Sequence, residues 1–187
     1  MRVLVTGGSG QLGSLVIERL LRREDVESVA VLDRRRPAER GPRQRWLELD
    51  LVVDELTQAT EGVDVVFHFA ALVLAGASLG AMRRVNVEGT LRVWEAARRA
   101  GVKRFIQGSS IAAYGLGPGL AEGFDESTPL RPTPWLPYAQ SKYEAEVMLD
   151  ALTAAAPRGP PSFGCGRESW WAPARPAAWA RFGEGVA

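Results

Sequence analysis

A single cysteine, Cys165, stands in a chain of 187 residues, so no disulfide can form within it. That usage fits a reducing compartment. Histidine is equally scarce, with His68 the only one. No apolar run reaches the roughly 18 residues that a membrane-spanning helix needs. The start, Met1-Arg2 and then the short run Val3–Val5, lacks the long apolar stretch of a secretory signal. Excess charge is missing too. Lys and Arg number 23 against 22 Asp and Glu, a net charge of +1. Nothing in that balance argues for nucleic acid or an anionic membrane surface as a partner. The expectation is a soluble cytoplasmic protein that handles a small molecule and has no metal centre. What is present is ordinary for a globular domain: 46% hydrophobic and 24% charged residues, in a length that suits one domain with a real core.

The first ~155 residues alternate regularly. Short apolar or β-branched runs are Val3–Val5, Val29–Leu32, Trp46–Leu49, Val63–Phe69 and Arg104–Gln107. Between them lie patterns with a 3.6-residue period, such as Leu12, Leu15, Val16, Arg19 and Leu20, and again Val85, Gly89, Val93 and Ala96–Ala97. Strand–helix alternation with apolar strands predicts an α/β fold. Its core would be a parallel sheet of five strands covered on both faces, a doubly wound or Rossmann arrangement. Residues 1–156 form this domain. Residues 157–187 are different: prolines crowd together, Trp170, Trp171 and Trp179 lie among them, and neither period holds.

The stretch "VTGGSGQLG" places Gly7, Gly10 and Gly13 between the first strand and a helix predicted over Gln11–Leu21. Gly7 permits a tight turn, Gly10 lets a diphosphate approach the backbone, and Gly13 lets helix pack on strand. The unpaired N–H groups at the helix start then face the phosphates. Three glycines alone would also suit a plain turn; the strand before and the helix after favour a dinucleotide site.

An acidic residue about 20 positions on should end the second strand. Asp33 of "VAVLDRRRP" stands there, able to accept from both ribose hydroxyls and to repel a 2′-phosphate. It could instead only initiate the turn before Pro37. Arg34, Arg35 and Arg36 can hold a 2′-phosphate, or Arg34 can lie over adenine, so NAD is favoured over NADP without NADP being excluded. Asp50, after the third strand, could accept from the adenine amino group with Leu51 covering the ring. Alternatively Asp50 or Asp54 caps a helix starting near Val52.

"PYAQSK" sets Tyr138 and Lys142 four apart, on one face of a helix. A free phenol, with a pKa near ~10, is a poor base at neutral pH. A neighbouring ammonium, or an oxidised nicotinamide, is expected to lower it and make the pair a usable acid/base for a hydroxyl or carbonyl. As a surface pair the same spacing would be unremarkable. "FIQGSSIAAYG" runs a strand into Ser109 and Ser110 at the sheet edge where such folds bind ligands. Ser110 could orient the reacting oxygen; either serine could merely cap the strand end.

Taken together, TGGSGQLG, Asp33, Asp50-Leu51, "FHFAAL", "VNVEGT", "SSIAAYG" and "YAQSK" resemble the extended short-chain dehydrogenases/reductases, the NAD-dependent epimerase/dehydratase group, over about residues 1–155. The resemblance implies a Ser-Tyr-Lys catalytic group of Ser110, Tyr138 and Lys142, with Ser110 matched because it stands four before Tyr114. It also implies cofactor contacts from the loop residues Gly7, Gly10, Gln11, Leu12 and Gly13. Asp33, Arg34, Asp50 and Leu51 would serve the adenosine end, and Phe69, Ala70, Ala71, Ser109, Tyr138 and Lys142 the rest. Asn86 matches the helix asparagine that supports the site. His68 lies in the fourth-strand motif; from its surroundings it reads as a core residue behind the site, neither ligand nor base. The implied reaction is hydride transfer between a secondary alcohol carbon, of a nucleotide sugar or related molecule, and nicotinamide. Tyr138 would move the proton, Lys142 would hold the nicotinamide ribose, and Ser110 would orient the oxygen. A helix-packed homodimer common in the family would suit an apolar helix face carrying Ala139 and Val147.

The resemblance stops near Arg158–Pro161, before the sixth strand and substrate lobe that such proteins carry. Back-translated from Pro161 to Trp179 in the shifted frame, the genetic code permits "VVRLRPGIVVGPGPAGRL". Trp170-Trp171-Ala172 forces the Val-Gly in it. The residues from about Pro160 onward therefore read as a frameshifted translation, with a natural irregular tail as the alternative. A chain without the substrate lobe could also be a dinucleotide-binding module without catalysis, a remnant or a redox-sensing regulator.

Overall fold

The computed structural model describes residues 1–35, 41–115 and 128–155. Pro37, Arg36 and the whole stretch 157–187 lie outside the described residues.

Five parallel strands form one sheet: β1 (Arg2–Thr6), β2 (Ser28–Asp33), β3 (Gln44–Glu48), β4 (Val65–His68) and β5 (Arg104–Gln107), in the spatial order β3-β2-β1-β4-β5. The chain winds outward from β1 in one direction through β2 and β3, then returns to add β4 and β5 on the other side. The order reverses between β1 and β4, and parallel sheets bind ligands in the crevice over the strand ends at such a switch. This is the doubly wound arrangement expected from the alternation.

Period two explains why β1 is apolar throughout. Leu4 points into a cluster with Val66, Phe105, Val93, Trp94 and Leu149; Val3 and Val5 point the other way, onto Ile17, Leu20, Val29 and Val31. The first cluster is closed by α4 (Thr90–Arg99) and α5 (Pro137–Ala155), the second by α1 (Gln11–Leu21). Shorter helices are α2 (Thr57–Thr60) and α3 (Leu79–Arg83), and a single wide π-helical turn, Arg84–Gly89, joins α3 to α4.

Two polar clips close the end of the sheet away from the crevice. Asp64 accepts from the Arg2 N–H and from Lys103 Nζ, each at 2.8 Å, tying the starts of β1, β4 and β5. β4 begins at Val65, two residues later than the apolar run Val63–Phe69 implies. Arg43, at φ 67°, caps the C-terminal end of α1: its guanidinium donates to the carbonyls of Leu21, Arg23 and Val26.

Two expectations are corrected. No helix begins near Val52. Asp50 Oδ1 accepts from the Val52 N–H at 2.8 Å and Asp54 Oδ2 accepts from the Asp50 N–H at 2.7 Å, so the carboxylates close a turn rather than cap a helix. Ala139 is fully buried within the chain, at 0% exposure, whereas Val147 on the same helix is 45% exposed. The two share no exposed face, and the dimer surface drawn from them has no support.

Candidate active site

The glycine-rich loop follows β1 directly. Gly7 takes φ +72°, and a Cβ there would lie 2.6 Å from the Ala70 backbone nitrogen, which leaves glycine as the residue that fits. At Gly13 a Cβ would meet the Gly7 carbonyl oxygen at 2.3 Å; α1 is pressed against the loop it grows from. Gly10 stands at the helix N-cap with no side-chain cap, so the first-turn N–H groups of α1 remain available to an anion. Gln11 and Leu12 occupy that first turn and are exposed.

A cavity of 330 Å³ opens beside this loop, bounded by Gly10, Asp33, Asp50, Leu51, Phe69 and Ala70 among others. Pockets from about 300 Å³ upward take small ligands. Asp33, at the end of β2, accepts from the Ser9 N–H (2.9 Å) and the Arg35 N–H (3.1 Å), which fixes its carboxylate at the rim. Arg34 reaches across to Asp50, 3.7 Å away. Leu51 is buried, held from beneath by α4, where Arg92 Nε donates to the Leu51 carbonyl at 2.9 Å. Ala71 lines the same cavity, while Gln11, Leu12, Gly13, Asn86, Ser109, Tyr138 and Lys142 do not.

Behind the crevice, the polar residues are linked in one chain of hydrogen bonds. The Thr90 hydroxyl donates to the Asn86 carbonyl (2.7 Å), so its oxygen accepts from His68 Nε2–H (2.9 Å). His68 Nδ1 then accepts from the Thr6 hydroxyl (2.6 Å), whose oxygen takes the Ala70 N–H (3.3 Å). This network assigns the Nε2–H tautomer. A second ring proton would force the Thr6 hydroxyl to turn away from Nδ1 and lose the acceptor of its own proton, and burial pushes the ring pKa down to about 3, helped by the Lys142 charge. His68 is a neutral strut. Asn86 in turn accepts from the Leu72 N–H (2.7 Å) and donates to the Leu72 carbonyl and to Ser141 Oγ (2.9 Å). It thereby joins the loop after β4 to the first turn of α5, and the wide turn at Arg84–Gly89 is where it projects from.

Helix α5 carries Tyr138 and Lys142 against the exit of β5. Tyr138 is hydrogen-bonded to Ser110, and Lys142 Nζ donates to the Gly108 carbonyl at 2.6 Å. Ser110 also caps the 3₁₀ turn Ile111–Tyr114, accepting from the Ala112 N–H at 3.2 Å. The structure thus brings Ser110, Tyr138 and Lys142 to one place. Their electrostatics correct the sequence reading: burial pushes the Tyr138 phenol up, the Ser110 hydrogen bond only partly offsets this, and Lys142 does not lower it. The reason is the lysine's own environment. Its ammonium is spent on Gly108, and burial draws it down to about 8 against the raising effect of Glu146.

Ser109 does not face the cavity; its hydroxyl donates to Glu146 Oε1. Sequence reasoning missed Glu146, Ser141, Thr6 and Thr90. Glu146 was signalled by spacing, since it continues the four-residue ladder from Tyr138 and Lys142. Thr6, Thr90 and Ser141 stand inside the motifs TGGSGQLG, VNVEGT and YAQSK, but their roles were not legible, because their partners are 55–64 positions away or on another element.

The sequence model of the NAD dependent epimerase/dehydratase family matches residues 3–158. UDP-glucose 4-epimerase of Mycolicibacterium smegmatis is 35% identical over 164 residues, covering 80% of this chain and 50% of that protein. The dTDP-D-glucose 4,6-dehydratase of Mus musculus is 33% identical over 165 residues, covering 80% of this chain and 45% of that protein. Among solved structures, MoeE5 in complex with UDP-glucose and NAD superposes with a TM-score of 0.74 at 31% identity, over 89% of this chain and 52% of that one. The chain spans about half the length of the curated relatives it matches.

Proposed function

We propose, from the premise that the chain belongs to the NAD dependent epimerase/dehydratase family, that it binds NAD and performs oxidoreductase chemistry at a secondary alcohol or carbonyl carbon of a nucleotide sugar or related small molecule. The observation that carries the reading is the meeting of Ser110, Tyr138 and Lys142 at the exit of β5, beside the crevice.

The residues present fit the dinucleotide. A loop in which two added Cβ atoms would collide with backbone leaves room for a diphosphate, and the uncapped start of α1 offers N–H donors to it. The Asp33 carboxylate at the rim would accept from ribose hydroxyls and repel a 2′-phosphate, while Arg34 is engaged by Asp50. Both favour NAD over NADP. When bound, NAD supplies the two-electron acceptor or donor and, in its oxidised form, a positive ring charge. Tyr138 is protonated at neutral pH, so its phenol can donate a proton to a substrate carbonyl oxygen; the reverse oxidation of an alcohol would start from the phenolate, which takes the hydroxyl proton back. Ser110 shares that proton's hydrogen bonding and orients the oxygen. Lys142, still mostly charged at pH 7, anchors the helix turn that aims the phenol.

The test is calorimetric titration with NAD and NADP, followed by assay with UDP-glucose as probe. Saturable binding with NAD tighter than NADP, and turnover lost in Tyr138→Phe while NAD binding persists, is the expected result. Binding without any turnover would instead make the chain a dinucleotide-binding module.

A further inference from the structure

We propose that Glu146 is a positioning residue of this site: tied to Ser109 at the exit of β5, it holds a carboxylate one helical turn past Lys142 and keeps the lysine charged on the Gly108 carbonyl. The inference deepens the reading above and rests on it for its catalytic meaning.

Three successive residues leaving β5 are each taken by a different turn of α5. Gly108 accepts from Lys142, Ser109 donates to Glu146, and Ser110 is bonded to Tyr138. Positions 138, 142 and 146 drift by only about 40° per step around the helix, so all three look at the same strand exit. Lys142 is 4% exposed and Glu146 6%. Such residues are almost never that buried without a partner. Burial makes an ammonium give up its proton more readily, and the Glu146 charge opposes that. The other groups around Lys142 cannot do it. His68 on β4 is neutral, Asn86 and Thr90 carry no charge, and Tyr138 is a protonated phenol. The Ser109 hydrogen bond orients the one carboxylate available among the described residues.

The chain has only two lysines, Lys103 and Lys142. Lysine labelled with ¹³C at Cε therefore gives two signals on the full chain, and Lys103, paired with Asp64 at the far end of the sheet, serves as reference. Wild type is expected to show Lys142 titrating near 8. Glu146→Gln keeps an oxygen for Ser109 but removes the charge, and should move the midpoint down by about one pH unit. The charged fraction at pH 7 then falls from about nine-tenths to about half. Glu146→Asp, which keeps the charge, should return the midpoint to within about half a unit of wild type. An unmoved midpoint in Glu146→Gln overturns the proposal. So does a Glu146→Gln chain that loses the dispersed Lys142 signal, since an isosteric amide that keeps the hydrogen bond would then be failing for packing reasons. The measurement needs neither NAD nor substrate. Absence of turnover would sink the enzymatic reading and leave this one standing, and the reverse holds equally.

Discussion

Lowering the pH from 7 to 5 should destabilise this fold through one side chain, His68. Its folded pKa is about 3 because the ring is buried and its two nitrogens are already committed, Nε2 donating to Thr90 and Nδ1 accepting from Thr6. In the unfolded chain the ring titrates near ~6.5. Between these values the unfolded state holds a proton that the folded state refuses. Stability therefore rises with pH across the window and falls as pH drops, by up to about 1.4 kcal/mol per unit. At pH 5 the unfolded state is favoured by about 2 kcal/mol more than at pH 7. Between pH 5 and 7 no other shifted group among the described residues contributes comparably. Lys142, with its folded value drawn down to about 8, changes its contribution only above that pH. The carboxylates held below their ordinary range, Asp64 among them, lose their contribution below about pH 5, under the interval compared. Urea unfolding of wild type and His68→Asn at both pH values reads the effect. Wild type should lose about 2 kcal/mol and the variant under about 0.5. A wild-type loss no larger than the variant's would refute the assignment of a neutral, fully satisfied ring, as would a histidine ¹³C signal that titrates near 6.5.

Two further outcomes are expected. Gly13→Ala forces a methyl to within 2.3 Å of the Gly7 carbonyl oxygen, so the loop must move; unfolding should become easier by about 1–3 kcal/mol, and an NAD dissociation constant unchanged from wild type would count against the phosphate role of the loop. For the stretch from about Pro160, sequencing of the coding DNA beyond Ala154 should show a shift of frame that restores the Val-Val-Arg-Leu-Arg-Pro run. The intact mass of the native product should then differ from 20.3 kDa; a mass and a DNA read that both agree with the written residues would establish the irregular tail instead.

Much of the architecture was legible because it is local. The five apolar runs, the helix over Gln11–Leu21 and the glycine spacing each follow from neighbours within one or two turns of chain, where period and propensity act. The misread elements failed for equally physical reasons. Asp50 and Asp54 have the composition of a helix start, but the Asp50 carboxylate takes the Val52 N–H and the Asp54 carboxylate takes the Asp50 N–H first. Ala139 and Val147 look alike in an apolar pattern. Only the packing of α5 on the sheet decides that one is sealed inside and the other is not.

The same division holds for the site. Residue patterning by itself pointed to the fold class, because strand and helix periods are local, while the glycine loop and Ser110, Tyr138 and Lys142 were singled out by the family resemblance, each spacing having a plainer reading of its own. Tertiary structure alone decided their chemical state. Burial raised the phenol and lowered the lysine, His68 became a neutral strut between Thr6 and Thr90, and Glu146 met Ser109 across 37 positions of chain. Charge in a protein interior depends on desolvation and on partners brought from far away, and neither is written in any local stretch of residues.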